Sequence, residues 1–332
     1  MDFSIHEHLS HLRQSALSVL REAAQVSLKL YTIMIPVLIG VKILVELGWI
    51  SYLAMPLRPL MDLVGLPPEM GLVWATALVN NIYSGIIVYL SLTDTIHLSV
   101  AQISVLSAMI LVAHALPVEV RIARESGCRF PFQAAVRLVG AFLLGWILHG
   151  IYSLGGWLQG PSRVLWQGQP EPDPALSAWI VDQVINLALI FGIILGLIAL
   201  MRFLSWIKVI DLVVRLLGPL LRFLGIGREA ASLTMVGMTM GLTYGGGLII
   251  HEARSGRVPP RDVFAAVTLM GLSHSLIEDT LLLLALGAHL SAILWGRLIF
   301  ALLATALLIR LLPFISSKTV HRHLYLQDTA GQ

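Results

Sequence analysis

The chain has 332 residues, of which 57% are hydrophobic and only 12% are charged, and its mean hydropathy is +0.84. Soluble proteins carry about 25% charged residues, so this composition excludes an ordinary soluble domain and indicates a polytopic membrane protein. The single cysteine, Cys128, excludes an internal disulfide. The net charge of +3 comes from Arg and Lys residues in loops, where they act as topology signals. We therefore expect the lipid bilayer as a partner, and no nucleic acid polymer.

In chain order, the sequence predicts an amphipathic helix at 1–27, a membrane repeat at 28–157, an external linker at 158–178, a second repeat at 179–314 and a cytoplasmic tail at 315–332. Apolar runs predict membrane spans at 30–50, 71–92, 100–117, 135–154, 180–203, 231–250, 263–286 and 292–312. Two shorter runs, 52–65 and 209–225, each contain a proline, and the sequence leaves open whether they cross, re-enter or lie on the membrane. Lys42 and Glu46, one turn apart, are predicted to pair.

Matched residues at one spacing indicate an internal repeat. The matched pairs, each 160 positions apart, are Pro59 and Pro219, Gly65 and Gly225, Glu69 and Glu229, His114 and His274, and Arg137 and Arg297. The segment 121–137 carries four arginines that we assign to a loop, whereas its counterpart 284–291 has neither Arg nor Lys. Because positive loops lie on the cytoplasmic side, equivalent loops should lie on opposite sides of the membrane.

The predicted fold is therefore an all-α polytopic membrane protein. It has two inverted repeats of about five membrane-embedded helical elements each, with broken or re-entrant segments. The charge pattern places both termini in the cytoplasm, and we expect a multi-pass protein of the bacterial inner membrane.

The strongest candidate site is a polar stretch inside the predicted span 263–286. It contains His274, Ser275, Glu278, Asp279 and Thr280. Ionisable groups at such depth are costly and usually face a protein interior or a watery cavity. On a continuous helix, His274 and Glu278 share one face, and Ser275 and Asp279 share the next. Such a strip suits a solute, a coupling proton or a cation; the structural alternative is a helix end whose carboxylates reach the interface or pair with Arg.

The matching stretch in the first repeat contains His114 and Glu119. Pro117 predicts a kinked or broken helix there. Glu119 either joins the site or begins a polar loop and pairs with Arg121 or Arg124. If the repeats are inverted, His114 and His274 should approach each other near the pseudo-twofold axis.

Two further polar stretches interrupt apolar runs. The first offers amide and hydroxyl groups suited to an uncharged polar solute. In the second, glycine weakens the helix and leaves backbone N–H and C=O groups free to bind a ligand. Their candidate residues are Asn80, Asn81, Tyr83 and Ser84, and then Tyr244, Gly245 and Gly246. Interhelical hydrogen bonding and close small-residue packing remain the structural alternatives.

These broken spans, the twofold repeat and the two His-x-Leu-x-x-Glu/Asp segments together resemble the nucleoside-recognition, or gate, family of bacterial membrane proteins. That family includes domains similar to parts of concentrative nucleoside transporters, ferrous-iron transporters and spore-maturation proteins. The resemblance covers about residues 31–312 and rests on the segments 80–85, 244–247 and 273–280. It implies a gate-like helical core and names no substrate.

We expect a secondary transporter or permease for a small polar solute such as a nucleoside, with H⁺ or Na⁺ coupled at a midplane site between the repeats. The alternative is a non-transporting component that assembles with a membrane partner or with itself. No hydrolase, zinc-protease or phosphate-binding motif is present, so we expect no enzyme activity and no cofactor. The sequence also leaves open a metal site built on His114, His274, Glu278 and Asp279, although no recognised ligand spacing supports it.

Overall fold

The computed structural model describes residues 2–93, 95–165 and 176–326; the side chains of residues 2–16, 223, 240 and 242–245 are outside that description. Within these residues the fold is helical and contains no β-strand. The helices are α1 (Asp2–Glu46), α2 (Ile50–Ala54), α3 (Arg58–Leu63), α4 (Met70–Val79), α5 (Ile82–Leu90), α6 (Val100–Ala113), α7 (Leu116–Glu125), α8 (Phe130–Gly155), α9 (Leu176–Trp206), α10 (Val209–Phe223), α11 (Arg228–Met240), α12 (Leu242–Arg254), α13 (Pro260–Leu272), α14 (Glu278–Ala285), α15 (Arg297–Leu311) and α16 (Ser317–His323). Short 3₁₀ turns at Met55–Leu57 and Leu312–Phe314 and a π-helical turn at Ser291–Gly296 complete it.

Five helical segments of the described chain are long and apolar enough to cross a bilayer, which supports the prediction of a helical membrane protein. They are Leu17–Glu46, Val100–Glu125, Phe130–Gly155, Leu176–Trp206 and Ser291–Phe314. In Val100–Glu125, 78% of the most apolar window is buried within the protein, against 17% in Leu17–Glu46. The segment formed by α6 and α7 therefore lies at the centre of the bundle.

The N-terminal helix runs without a break through residue 27, where the predicted amphipathic helix was to end. It packs along α9, where Arg202 Nη2 lies 2.5 Å from Glu22 Oε2 and the Tyr31 hydroxyl donates to the Leu187 carbonyl at 2.5 Å. The predicted Lys42–Glu46 pair is confirmed, with Nζ and Oε1 2.6 Å apart.

Four of the predicted spans are not continuous helices. Broken segments were predicted, and the break in 100–117 was expected from Pro117, but 263–286 was treated as one helix and in this the prediction is wrong. The run 71–92 breaks between α4 and α5, 100–117 breaks at His114, 231–250 breaks at Gly241, and 263–286 breaks over residues 273–277. Each break has a local cause that average hydropathy does not detect. Asn81 caps α5 by accepting from the Ser84 amide, for example, and Gly241 adopts φ +91°.

Several matched positions share an unusual backbone conformation. Gly65 and Gly225 have φ values of +70° and +73°, and Ala115 and Ser275 have φ values of +47° and +45°. The left-handed region is costly for any residue with a Cβ atom, so its use at both Ala115 and Ser275 marks the same sharp turn after each histidine.

The two proline-containing stretches form shorter elements than the spans. The stretch 52–65 is covered by α2, a 3₁₀ turn and α3, and the stretch 209–225 by the single helix α10, which contains Pro219 and ends at Phe223. None of these helices reaches the roughly 20 residues that a crossing requires.

Candidate functional site

The helix breaks are tied together in pairs by backbone hydrogen bonds. At the first pair, the Ala115 amide donates to the Ala77 carbonyl at 3.0 Å. At the second, the Leu276 amide donates to the Met238 carbonyl at 2.8 Å. Each histidine segment is thereby held against a neighbouring broken helix, and backbone groups freed by the breaks are satisfied inside the protein, as membrane depth requires.

The two histidines meet at the centre of the bundle, as the sequence predicts. His114 and His274 are buried, and their Nε2 atoms lie 3.3 Å apart. The Nδ1 atom of each ring lies within 3.0 Å of the carbonyl oxygen four residues earlier, that of Ile110 or Met270. Because a carbonyl only accepts, each Nδ1 carries the hydrogen, and each Nε2 of a neutral ring is an acceptor.

Glu119 joins the histidine pair and does not begin a polar loop. Its Oε1 atom lies 3.5 Å from His114 Nε2 and 3.3 Å from His274 Nε2. Its Oε2 atom pairs with Arg137 Nη1 at 2.5 Å, so the alternative pairing with Arg121 or Arg124 is wrong. Arg121 instead bonds Glu125. When both rings are neutral, three acceptor atoms converge, and they repel one another unless a proton or a metal ion lies among them.

Arg137 and Arg297 are the residues of this cluster that the sequence analysis missed as site residues. Arg137, assigned above to a loop, is buried and donates to the carbonyls of Val112 and His114 at 2.8 and 2.9 Å. Arg297 is fully buried and donates to the His274 carbonyl at 2.7 Å. The signal was present, because both arginines sit at the 160-residue spacing and Arg297 lies inside an apolar run.

The second half of the cluster holds unsatisfied polar groups. Arg297 has no ion pair with Asp279 comparable to the Arg137–Glu119 pair among the contacts of the described residues. Asp279 Oδ2, Thr280 Oγ1, Ser273 Oγ and two nitrogens of Arg297 are buried without a hydrogen-bond partner in this part of the structure. Because such groups cost free energy when left alone, this side is suited to a polar ligand, an ion or ordered water.

The predicted shared face of His274 and Glu278 does not exist, because residues 273–277 are not helical. Helix α14 starts at Glu278, and this side chain lines a cavity of about 300 Å³ together with Leu197, Met201 and Arg202. Asp279 instead lies beside the histidines, within 4.8 Å of both. The adjacent carboxylates thus face two different compartments.

A second, much smaller void of about 10 Å³ lies against Glu119, Arg137 and Gly246. Its volume is close to the minimum that holds one water molecule. This void, which lies beside Glu119 and Arg137, therefore has room for a water or an ion but not for an organic solute.

The asparagine stretch has a structural role in part, and Tyr83 at its end lies close enough to Glu278 and Asp279 to interact with their charges. Asn81 accepts from the amide and the hydroxyl of Ser84 at 2.9 and 3.2 Å, which caps α5. Asn80 ends α4 and is half-buried, and Tyr83 is half-buried against the apolar core. Of this group, Asn80 and Tyr83 retain side chains that the local helix geometry does not use.

In the glycine stretch, close packing between helices explains the glycine at position 246, whose surroundings the structure describes. A Cβ atom on Gly246 would lie 2.5 Å from Ile122 Cγ2 on α7, so a side chain there would force α7 and α12 apart. Tyr244 and Gly245 lie on α12, and their side-chain surroundings are outside the described part of the chain. Ser275 and Thr280 are both buried beside the cluster.

Comparison with known proteins supports membrane residence without identifying an activity. The chain is 26% identical over 302 residues to the uncharacterized membrane protein YvoD of Bacillus subtilis (strain 168), covering 89% of this chain and 94% of that protein. No family model matches the chain. No solved structure matches it.

Proposed function

We propose that this membrane protein is a secondary transporter or permease for a small polar solute, with a coupling cation held in the His114–His274–Glu119–Asp279 cluster. The observation that carries the proposal is the convergence of two histidines and two carboxylates, all buried, where helices break inside apolar segments. Intramembrane ionisable groups of this kind mark ion and substrate pathways. Discontinuous helices meeting at a buried site are typical of secondary transporters.

The matched halves support a two-fold arrangement around this cluster. Helices α6 and α13 start 160 residues apart in the sequence. Each is followed by a histidine, and the chain then turns through a residue in the left-handed conformation. We propose that the halves are inverted repeats, with both termini on the cytoplasmic side of a bacterial inner membrane. The same architecture agrees with the resemblance to the gate family, which remains part of this proposal.

Solute and cation have separate places in this proposal. The cavity of about 300 Å³ beside Glu278 has the size and the mixed polar and apolar lining that a nucleoside-like solute needs. The void of about 10 Å³ against Glu119 and Arg137 is too small for such a solute. Because Glu278 and Asp279 are neighbours on the first turn of α14, a movement of that turn would act on both places.

Sodium is the weaker of the two coupling ions predicted from the sequence. Hard cations prefer oxygen ligands, whereas two of the converging atoms are imidazole nitrogens.

Uptake into proteoliposomes tests the proposal. A thermal-shift panel of nucleosides, nucleobases and amino acids first selects the compound that raises the melting temperature most, because a ligand of the native state stabilises it. Glu278→Gln and Asp279→Asn should each lower uptake of that compound at least tenfold. The matched control is Asp62→Asn, a change in an exposed carboxylate paired with Arg58, which should leave uptake unchanged. Unchanged uptake in both site variants would refute the transporter proposal.

The scaffold alternative has its own supporting observation, since Arg137 and Asn81 use their polar atoms on the protein's own backbone. A scaffold that assembles with a membrane partner or as a homo-oligomer needs no bound solute. It predicts that no compound of the panel stabilises the protein, and that the site variants lower expression or assembly instead.

A further inference from the structure

We infer that the buried cluster is a binding site for one divalent transition-metal ion of the Zn²⁺ class, with His114 Nε2, His274 Nε2 and Glu119 Oε1 as ligands and Asp279 at the fourth position. This inference rests on the proposed function, because it places a transition-metal ion, and not Na⁺ or H⁺, in the cluster that the proposal assigns to a coupling cation. Metal binding by the protein is nevertheless measured without any transport.

The separations within the cluster carry the inference. In a tetrahedral site with metal–ligand bonds of about 2.0–2.1 Å, the ligand atoms lie about 3.3–3.4 Å from one another. The three separations here are 3.3 Å between the two Nε2 atoms, and 3.3 and 3.5 Å from these atoms to Glu119 Oε1. The three atoms thus form one face of such a tetrahedron before any ion is added.

The hydrogen bonds around the ligands point the same way. Metal-bound histidines usually donate the other ring N–H to a carbonyl or carboxylate, which fixes the tautomer. Both histidines do this, through Nδ1 to the carbonyls of Ile110 and Met270 at 3.0 and 2.9 Å. Glu119 is held in turn by Arg137 through the oxygen that does not face the histidines.

Asp279 supplies an independent observation. It is more than nine-tenths buried, its Oδ2 atom has no hydrogen-bond partner among the described residues, and a carboxylate oxygen lies within 4.8 Å of both imidazoles. A rotation of this side chain, or one bound water, brings it to the fourth position. A partnerless buried carboxylate is costly, and a cation removes that cost.

The donor atoms of the cluster indicate the class of cation. The carboxylates of Glu119 and Asp279 are balanced by the guanidinium groups of Arg137 and Arg297, so the choice of ion depends on the type of donor and not on net charge. Two imidazole nitrogens with carboxylate oxygens form a donor set suited to Zn²⁺, Co²⁺ or Fe²⁺ and poorly suited to Mg²⁺ or Ca²⁺.

The test uses the full chain, purified in detergent and stripped with a chelator. Titration with Co²⁺, followed by visible absorption, should give the intense bands of a tetrahedral complex with one equivalent bound. Zn²⁺ should displace Co²⁺ from the same site, and Mg²⁺ at a hundredfold higher concentration should not. His114→Gln and His274→Gln should each weaken Co²⁺ binding at least a hundredfold. His251→Gln, which changes an exposed histidine on α12, should bind Co²⁺ as the unmodified protein does.

Three outcomes would overturn the inference. They are the absence of the tetrahedral spectrum in the unmodified protein, an octahedral spectrum that survives both histidine substitutions, and equal losses in the His251→Gln control. Near-native circular dichroism of each variant, recorded in chelator, shows that lost binding is not lost folding. If metal binds and solute uptake is absent, the transporter proposal fails alone; if uptake is present without metal binding, the metal site fails alone.

Discussion

Replacing Arg137 by Met should destabilise the protein far more than the same change at its matched position, Arg297. Arg137 pairs with Glu119 at 2.5 Å and donates to the carbonyls of Val112 and His114. Removing one partner of a buried ion pair costs about 3–5 kcal/mol, because the other charge stays buried alone. The two abandoned carbonyls place the expected loss in the upper half of that range.

The corresponding loss at Arg297 should be smaller. Its guanidinium makes one hydrogen bond, to the His274 carbonyl, and two of its nitrogens have no partner among the described residues. A hydrogen bond to a charged group contributes about 1.5–3 kcal/mol, and relief of the unpartnered nitrogens offsets part of it. Arg297→Met should therefore cost about 2 kcal/mol less than Arg137→Met.

Reversible unfolding by SDS titration in mixed micelles, followed by far-UV circular dichroism in chelator, measures both free energies. Adding Glu119→Gln to the Arg137→Met variant should recover part of the loss, because it neutralises the carboxylate that the first change leaves uncompensated. Equal losses at the two arginines, or a further loss in the double variant, would refute the reasoning.

Two other predictions concern the backbone break and the single thiol. Gly241→Ala should cost about 1–3 kcal/mol, because φ is +91° and the new Cβ would lie 2.8 Å from Ser275 Oγ. Gly247→Ala lies inside α12 with no atom within 4 Å of the new Cβ, so it should stabilise the protein by up to about 1 kcal/mol. Equal unfolding free energies of the two variants would contradict this. Cys128, between α7 and α8, is buried, and burial raises its thiol pKa to about 12, so a maleimide at pH 8 should label it only after unfolding. Rapid labelling of the folded protein would show that this loop is open.

The sequence predicts the meeting of the two histidines, but not how the chain brings them together. Matched polar residues at one spacing are strong evidence for a repeat, and His114 and His274 indeed meet. Pro117 predicts the break near His114, whereas the break over residues 273–277 was missed because apolar runs look alike whether the helix continues or turns. The left-handed turns at Ala115 and Ser275 cannot be predicted from glycine, because neither position is a glycine.

The arginines of the cluster were missed for a different physical reason. Arginine near the end of an apolar run is usually a topology signal, and only tertiary packing shows that Arg137 reaches back to the end of α6. Likewise, spacing on an ideal helix assigns Glu278 to the histidine face. Because the helix is broken before α14, it is Asp279, and not Glu278, that lies beside the histidines.

A double-mutant cycle on His114 and His274 tests the central claim, that both matched histidines belong to one buried cluster. The free energies of unfolding of His114→Gln, His274→Gln and the double variant are compared with that of the unmodified protein, all in chelator. Residues in contact couple by about 0.5–3 kcal/mol, whereas distant residues add within about 0.3–0.5 kcal/mol. With the Nε2 atoms 3.3 Å apart, we expect a coupling of about 1 kcal/mol or more. Additive losses would contradict the shared cluster.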